Sequence, residues 1–171
     1  MTNHVVISFH WHYLDAAASL YERSYPVPQY GDLTAHDISR EVIGGHVMRD
    51  SFIGVLAVDV DQQVIGLAWG FAFPHDNPRL KQLAVKRLGA EWTENTFVIE
   101  AFAVHPDHVE SDLAEQLYDG LLSRVQENHY DRMRVRLEVA RMDNILAVLA
   151  VQGWDQLQRL PHVVWMGKQI Q

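Results

Sequence analysis

Between Thr96 and Gln126 a strand, a proline-containing turn and a helix follow one another without a break, and this succession limits the folds open to the chain. Thr96 to Val104 is an apolar run rich in β-branched and aromatic residues, the pattern of a buried strand. His105-Pro106-Asp107 ends it, because proline has no N–H to give a ladder and biases the residue before it toward extended backbone. Leu113, Leu117, Leu121 and Val125 then recur every four residues, which lines one face of a helix. A strand that turns sharply into a helix leaves backbone N–H groups at the helix start, where anions bind.

Other elements group around this unit. Val5 to Phe9 reads as a strand and Leu14 to Ser24 as a helix with Leu14, Ala17, Ala18 and Tyr21 on one face. Prolines and a glycine make SYPVPQYGDLT a loop. A second helix covers Ala35 to Met48, N-capped by Thr34. Two strands follow, joined at Asp59 to Gln63. In the second, Leu67, Trp69, Phe71 and Phe73 point one way and Gly66, Ala68, Gly70 and Ala72 the other. The small face lets a helix come close, and the aromatic face either walls a pocket or packs as core.

Pro74 to Asn95 is an insert carrying one helix, RLKQLAVKRLG, with Leu80, Leu83, Ala84 and Leu88 as an apolar stripe and Gly89 as its cap. It either covers a site or packs as an excursion. Met133 to Ala140 alternates as a strand, Asn144 to Gln152 is a short helix closed by Gly153, and two strands turn near Leu160-Pro161-His162. This order predicts an α/β (α+β) fold: one domain over residues 1–171, with a mixed, mostly antiparallel central sheet flanked by helices. The strands on either side of the central helix are parallel, because a strand–helix–strand crossover joins them.

This order and several motifs resemble the GNAT superfamily of N-acetyltransferases over nearly the whole chain. The resemblance rests on ISFHWHYLDAAASLYERSYP at the start, VIGLAWGFAF, FAVHPDH, and LEVARMDN with VQGW near the end. It implies acetyl-CoA held between two splayed strands, its pyrophosphate on backbone N–H groups of a loop of pattern Q/R-x-x-G-x-G/A. It also implies direct attack of an amine on the thioester, with a carboxylate taking the amine proton and often a tyrosine protonating the thiolate. Carried onto this chain, the cofactor would meet Phe102, Ala103 and Val104, the loop Val109, Glu110, Ser111, Asp112, Leu113 and Ala114, and Asn144. The catalytic carboxylate would be Glu100. The family's tyrosine position holds Leu149, and Tyr118 and Tyr130 lie outside the pattern.

The loop departs from that pattern. Valine stands where arginine or glutamine belongs, aspartate stands at the first glycine, and only Ala114 conforms. Glycines there would let the backbone approach phosphate. Glu110, Asp112 and Glu115 also place negative charge at the helix start, where they favour the helix dipole but oppose a pyrophosphate. A unit charge ~8 Å from a phosphate costs about 2 kcal/mol at an effective dielectric of 20, and less in salt. Two functional classes therefore stay open: an acetyl-CoA-dependent N-acetyltransferase for a small amine or a protein amino group, and a GNAT-fold binding or regulatory module without acetyl-CoA.

Composition narrows the partners. A net charge of −8 argues against nucleic acid and mildly favours cationic partners. No apolar run reaches the roughly 20 residues that span a bilayer, and MTNHVVIS does not look like a secretory leader, which points to the cytoplasm. The absence of cysteine removes thiolate chemistry. His10 and His12 share a face at a spacing seen in metal sites, but with no evident third ligand no metal is assigned. Tyr25, Tyr30 and Trp92 are candidates to line a substrate pocket with Trp69 and Phe71. Val163, Val164 and Trp165 in the last hairpin are candidates for pairing with a second copy.

Overall fold

The computed structural model describes residues 4–27, 31–74, 77–109, 112–138 and 143–170, leaving aside the side chains of 143, 144 and 147. Strand β1 (His4–Ser8) leads through a short turn of 3-10 helix into α1 (Leu14–Ser24) and α2 (Ala35–Val47). Then come β2 (Ile53–Asp59), β3 (Val64–Ala72), α3 (Pro78–Leu88), β4 (Thr96–Val104), α4 (Leu113–Glu127), β5 (Arg132–Glu138), α5 (Asp143–Val151), β6 (Asp155–Leu160) and β7 (Val163–Gln169). The seven strands form one sheet in the order β1-β2-β3-β4-β5-β7-β6, parallel only between β4 and β5.

Local chemistry sets the helix ends. Thr34 and Asp37 close a reciprocal capping box on α2, so two N–H groups at that helix start are satisfied. Asn77 caps α3, and Pro78 follows at a position where its missing N–H costs nothing. Gly89 ends α3 at φ +100.

Two cores lie on opposite sides of the sheet. Leu56, Leu67 and Trp69 pack with Ala17, Ala18, Leu20 and Ile43 of α1 and α2. Ala68, Phe97, Met133 and Val135 pack with Leu113, Leu117, Leu121 and Val125 of α4 and with Val148 and Leu149 of α5. The small face of β3 is what admits α4: a Cβ at Gly66 would lie 2.5 Å from Leu117 Cδ1.

The insert and the last hairpin differ from expectation. No α3 residue is buried, and Leu80 and Leu83 are 46% and 44% exposed; a small pocket, lined on the sheet side by Phe73, Arg134 and Trp165, separates part of the helix from the sheet. Val164 is buried, and β7 is hydrogen-bonded to β5 on one side and β6 on the other. The strand at that edge is β6, so Val163, Val164 and Trp165 offer no open ladder to a second copy.

Strand β4 carries a bulge. Trp69 pairs with Ala101 and Gly70 with Ile99, which leaves Glu100 as the extra residue. Close approach at this point requires glycine, since a Cβ on Gly70 would sit 2.0 Å from the Val98 carbonyl oxygen. Gly70→Ala should therefore lower unfolding free energy in urea by at least about 1–3 kcal/mol. Gly45→Ala, where a Cβ meets nothing within 4 Å on a helix, should raise it by about 0.5–1 kcal/mol. Equal effects of the two would refute the close-approach argument.

Candidate functional site

The parallel ladder between β4 and β5 runs from Thr96↔Arg132 to Ile99↔Val135 and ends there, at the residue before the bulge. Beyond it the strands separate and a cleft of about 290 Å³ opens between Ile99–Phe102 and Val135–Glu138. Tyr21, Tyr25, Pro26 and Ile145 close its sides. A second, wider cavity of about 910 Å³ lies where the end of α2 and the start of α3 face β3. Its walls include His46, Arg49, Asp50, Phe71, Phe73, Val98 and Arg134. Glu100 lines both.

The bulge turns the Glu100 carboxylate to this position between cleft and cavity. Although the side chain reaches solvent, the carboxyl is crowded by protein, and desolvation raises its pKa above the ordinary carboxylate value. Arg49 and Arg136 pull in the opposite direction with less effect. Such a carboxylate holds a proton more readily than a surface glutamate, as a base for an ammonium needs.

In the cleft, a strand that has lost its neighbour should expose backbone groups. Those of Phe102 are taken by Tyr25, whose hydroxyl accepts from the Phe102 N–H at 2.7 Å and lies 3.0 Å from the Phe102 carbonyl oxygen, to which it donates. Tyr25 is held by stacking on Tyr21, which stacks on Trp69. One polar group with a donor and an acceptor thus fills the place that β5 vacates.

At the start of α4 the structure describes part of the expected loop. Val109 is 40% exposed after a turn of 3-10 helix at Pro106–His108. Glu110 and Ser111 lie outside the described residues. Asp112 makes no side-chain capping bond; its carboxylate accepts from Gln116 Nε2 at 2.7 Å. Leu113 is fully buried and Ala114 packs against the core, so their side chains serve the fold. Ala103 and Val104 are also buried, while Phe102 is half-buried at the cleft.

The other candidates separate. Phe71 lines the wide cavity, but Trp69 is fully buried beneath Tyr21 and lines neither space. Trp92 is buried and gives its carbonyl to Arg134. Tyr30 and the Asn144 side chain lie outside the described residues. Leu149 is buried in the core. His10 and His12 have their Nδ1 atoms 2.6 Å apart and gain no third ligand among the described residues.

Arg49, His46, Arg134 and the double role of Tyr25 escaped the sequence reading. MRVRLEV alternates arginine with apolar residues, which marks Arg134 as one of an outward set; the insert folding over β5 buries it. Burial lowers its pKa to about 10. His46 sits against Phe71 with Nδ1 buried and unpartnered, and desolvation, helped by Arg49, lowers its pKa to about 4.

No protein-family model and no curated protein sequence matches the chain. Solved structures do match in shape. An acetyltransferase of the GNAT family from Staphylococcus aureus Mu50 superposes with TM-score 0.70 at 9% identity, over 99% of this chain and 100% of that one. The PaiA N-acetyltransferase of Thermoplasma acidophilum in complex with coenzyme A gives 0.71 at 9% identity, over 98% and 99%. Spermidine N-acetyltransferase of Vibrio cholerae, in complex with CoA and spermine, gives 0.67 at 12% identity, over 97% and 95%. The chain has the GNAT acetyltransferase fold. No helix among its described residues is long and apolar enough to cross a membrane.

The His46 environment makes stability depend on pH. The unfolded chain protonates this imidazole near its ordinary value of 6.5, whereas the folded protein resists until about pH 4. Acid therefore favours the unfolded state, and stability supplied by neutral His46 falls from about pH 6.5 toward pH 4. His46→Gln should flatten the melting temperature over that window; an unchanged slope would refute the assignment.

Proposed function

We propose that this chain is an N-acyltransferase that moves an acetyl group from acetyl-CoA to an amine, by direct attack and without a covalent enzyme intermediate. The observation that carries the reading is Glu100, one carboxylate placed at the junction of a narrow cleft and a wide cavity. The narrow side suits the extended acyl arm of the donor, and the wide side suits the amine.

The cleft fits an amide-bearing chain for a reason visible in Tyr25. Phe102 engages a single hydroxyl through both its N–H and its carbonyl, and an amide offers the same donor and acceptor. Phe102, with Ala103 and Val104 continuing the same backbone edge, would hold the acyl arm. Tyr25 must first swing away. The loop from Val109 to Ala114 and Asn144 would meet the nucleotide half. Acetyl-CoA, when bound, supplies a thioester whose carbonyl carbon accepts the amine nitrogen as the C–S bond breaks.

The residues of the chain then divide the work. Glu100 accepts a proton from the ammonium, freeing its lone pair. Arg49 and Arg136 offset part of the desolvation of that carboxylate. No tyrosine stands where Leu149 is buried, so the second proton, which the nitrogen sheds on becoming an amide, passes through water to the departing thiolate. The amine would rest on the Phe71 side of the cavity. The cytoplasm, where acetyl-CoA is made and used, is the proposed location.

A second reading, a regulatory module without the donor, is favoured by Asp107, Asp112 and Glu115 around the start of α4 and by Tyr25 in the cleft. Isothermal titration with acetyl-CoA at low and moderate salt separates the two. Micromolar binding that weakens with salt only slightly is expected; no heat at millimolar ligand would sink the transferase. Tyr25→Phe should tighten binding by roughly 2- to 10-fold, because the native protein gives up a hydroxyl pairing to admit the donor. Glu100→Gln should lower kcat by about 10²-fold with KM for acetyl-CoA unchanged. The native rate should fall as pH drops through the raised pKa of Glu100, and that limb should vanish in the variant.

A further inference from the structure

The wide cavity holds two arginines that form no ion pair with any described residue. Arg134 is 5% exposed. Its Nη1 donates to the Trp92 carbonyl at 3.2 Å, and its Nε is buried with no acceptor. Its guanidinium lies 4.3 Å from the centre of the Phe73 ring and 5.6 Å from that of Trp165. Arg49, at the cavity mouth, lies 3.9 Å over Phe71.

The sheet sets these groups side by side. Phe71 and Phe73 are two residues apart on one face, about 7 Å along the strand. Phe71 pairs with Val98, and Val98 pairs with Arg134, so all three belong to one row across β3, β4 and β5. Two cations thus sit on neighbouring aromatic rings with the same empty space before them.

A buried guanidinium with an unmet N–H costs free energy unless something completes it. Stacking on Phe73 and Trp165 accounts for the ring faces but leaves the in-plane Nε donor unanswered. A planar carboxylate in the cavity supplies the counter-charge that the guanidinium lacks, because the guanidinium fork and the carboxylate oxygens match in geometry. Among the described residues the other charges of the cavity, Glu100 and Asp50, are negative, and they suit an ammonium. A cavity with cations toward β5 and a carboxylate at the β4 bulge has the charge pattern of a zwitterion.

We propose that the acceptor is a small amine bearing its own carboxylate, an amino acid or a close derivative. The carboxylate lies between Arg134 and Arg49, and the amino group faces Glu100. The placement of the amino group rests on the transferase reading; the capture of the carboxylate does not. A polycationic amine meets repulsion from both arginines, so the overall negative charge of the chain is a poor guide to this pocket.

The test is binding to the full chain without acetyl-CoA, by isothermal titration and thermal shift. The probes are the twenty common amino acids, their amides, their decarboxylated amines, spermidine, and the pair O-phosphoethanolamine and ethanolamine. One or more free amino acids should bind at least about tenfold tighter than the matching amide and amine, the scale of one charge-assisted hydrogen bond. Arg49→Met and Arg134→Lys should each erase most of that preference. Because Arg134 is buried, the solvent-facing Arg49→Met keeps the test valid if Arg134→Lys does not fold.

Tightest binding of spermidine or of an uncharged-tail amine, preference for the phosphate, indifference to both substitutions, or no binding of any probe would each overturn the proposal. Acetyl-CoA titrated separately tells the two claims apart. Arginine-dependent amino-acid binding without acetyl-CoA binding upholds the pocket and sinks the transferase. Acetyl transfer to non-acidic amines alone upholds the transferase and overturns the pocket.

Discussion

Gly70 brings β3 so close to the carbonyl of Val98 that no side chain fits between them, and the register shift beside it leaves Glu100 without a partner. A bulge bends its strand and sharpens the local twist. Here it falls one residue past the last pair with β5, so β4 leans away and the sheet opens instead of closing. The cleft, the turn of the Phe102 backbone to Tyr25 instead of β5, and the place of Glu100 between two spaces all descend from that local misfit. Two cores pack the opposite faces of the sheet around this seam.

The regular elements were legible because their cause is local. Four-residue spacing along α4, strict alternation in β3 and the Thr34 cap each record burial or hydrogen bonding within a few residues. Glu100 was legible as the carboxylate that the family resemblance implies, though its bulge was not, since a register shift depends on the partner strand. The role of Arg134 was hidden for the same reason. Its alternating neighbours say outward, and only the insert with Trp92, more than forty residues earlier, makes outward mean buried. The small face of β3 promised a close helix, and Leu117 against Gly66 is that contact. The aromatic face divided: Trp69 went to the core and Phe71 to the cavity, on opposite sides of the register shift.

Charge on this chain has to be read at two scales. Over the whole surface acids exceed bases, and that excess acts on distant partners through a field that salt screens within about 8–10 Å. Among the described residues of the wide cavity the count is different: two arginines on aromatic rings stand against two acids, Glu100 and Asp50, while His46 is neutral. A ligand within the cavity feels those nearby groups through protein and little solvent, so they outweigh the distant excess. The sign of a protein's net charge and the sign of what it binds are separate questions.

The two sides of Glu100 are built to different degrees. On the proposed reading the amine side is the wide cavity, where the Arg134 guanidinium has no carboxylate partner among the described residues. The donor side is self-satisfied: Tyr25 answers Phe102, Gln116 answers Asp112, and acids flank the helix start where a pyrophosphate would rest. A self-satisfied site need not be a dead one, because exchanging one hydrogen-bonded partner for another costs little when both are matched. What it changes is the order of events. An open cavity fills on collision, whereas a cleft closed by its own tyrosine admits a donor only in the fraction of molecules where Tyr25 has left. On the proposed transferase reading the acceptor is therefore poised to enter first, and the donor affinity would be set by how readily one phenol gives up its hold on Phe102.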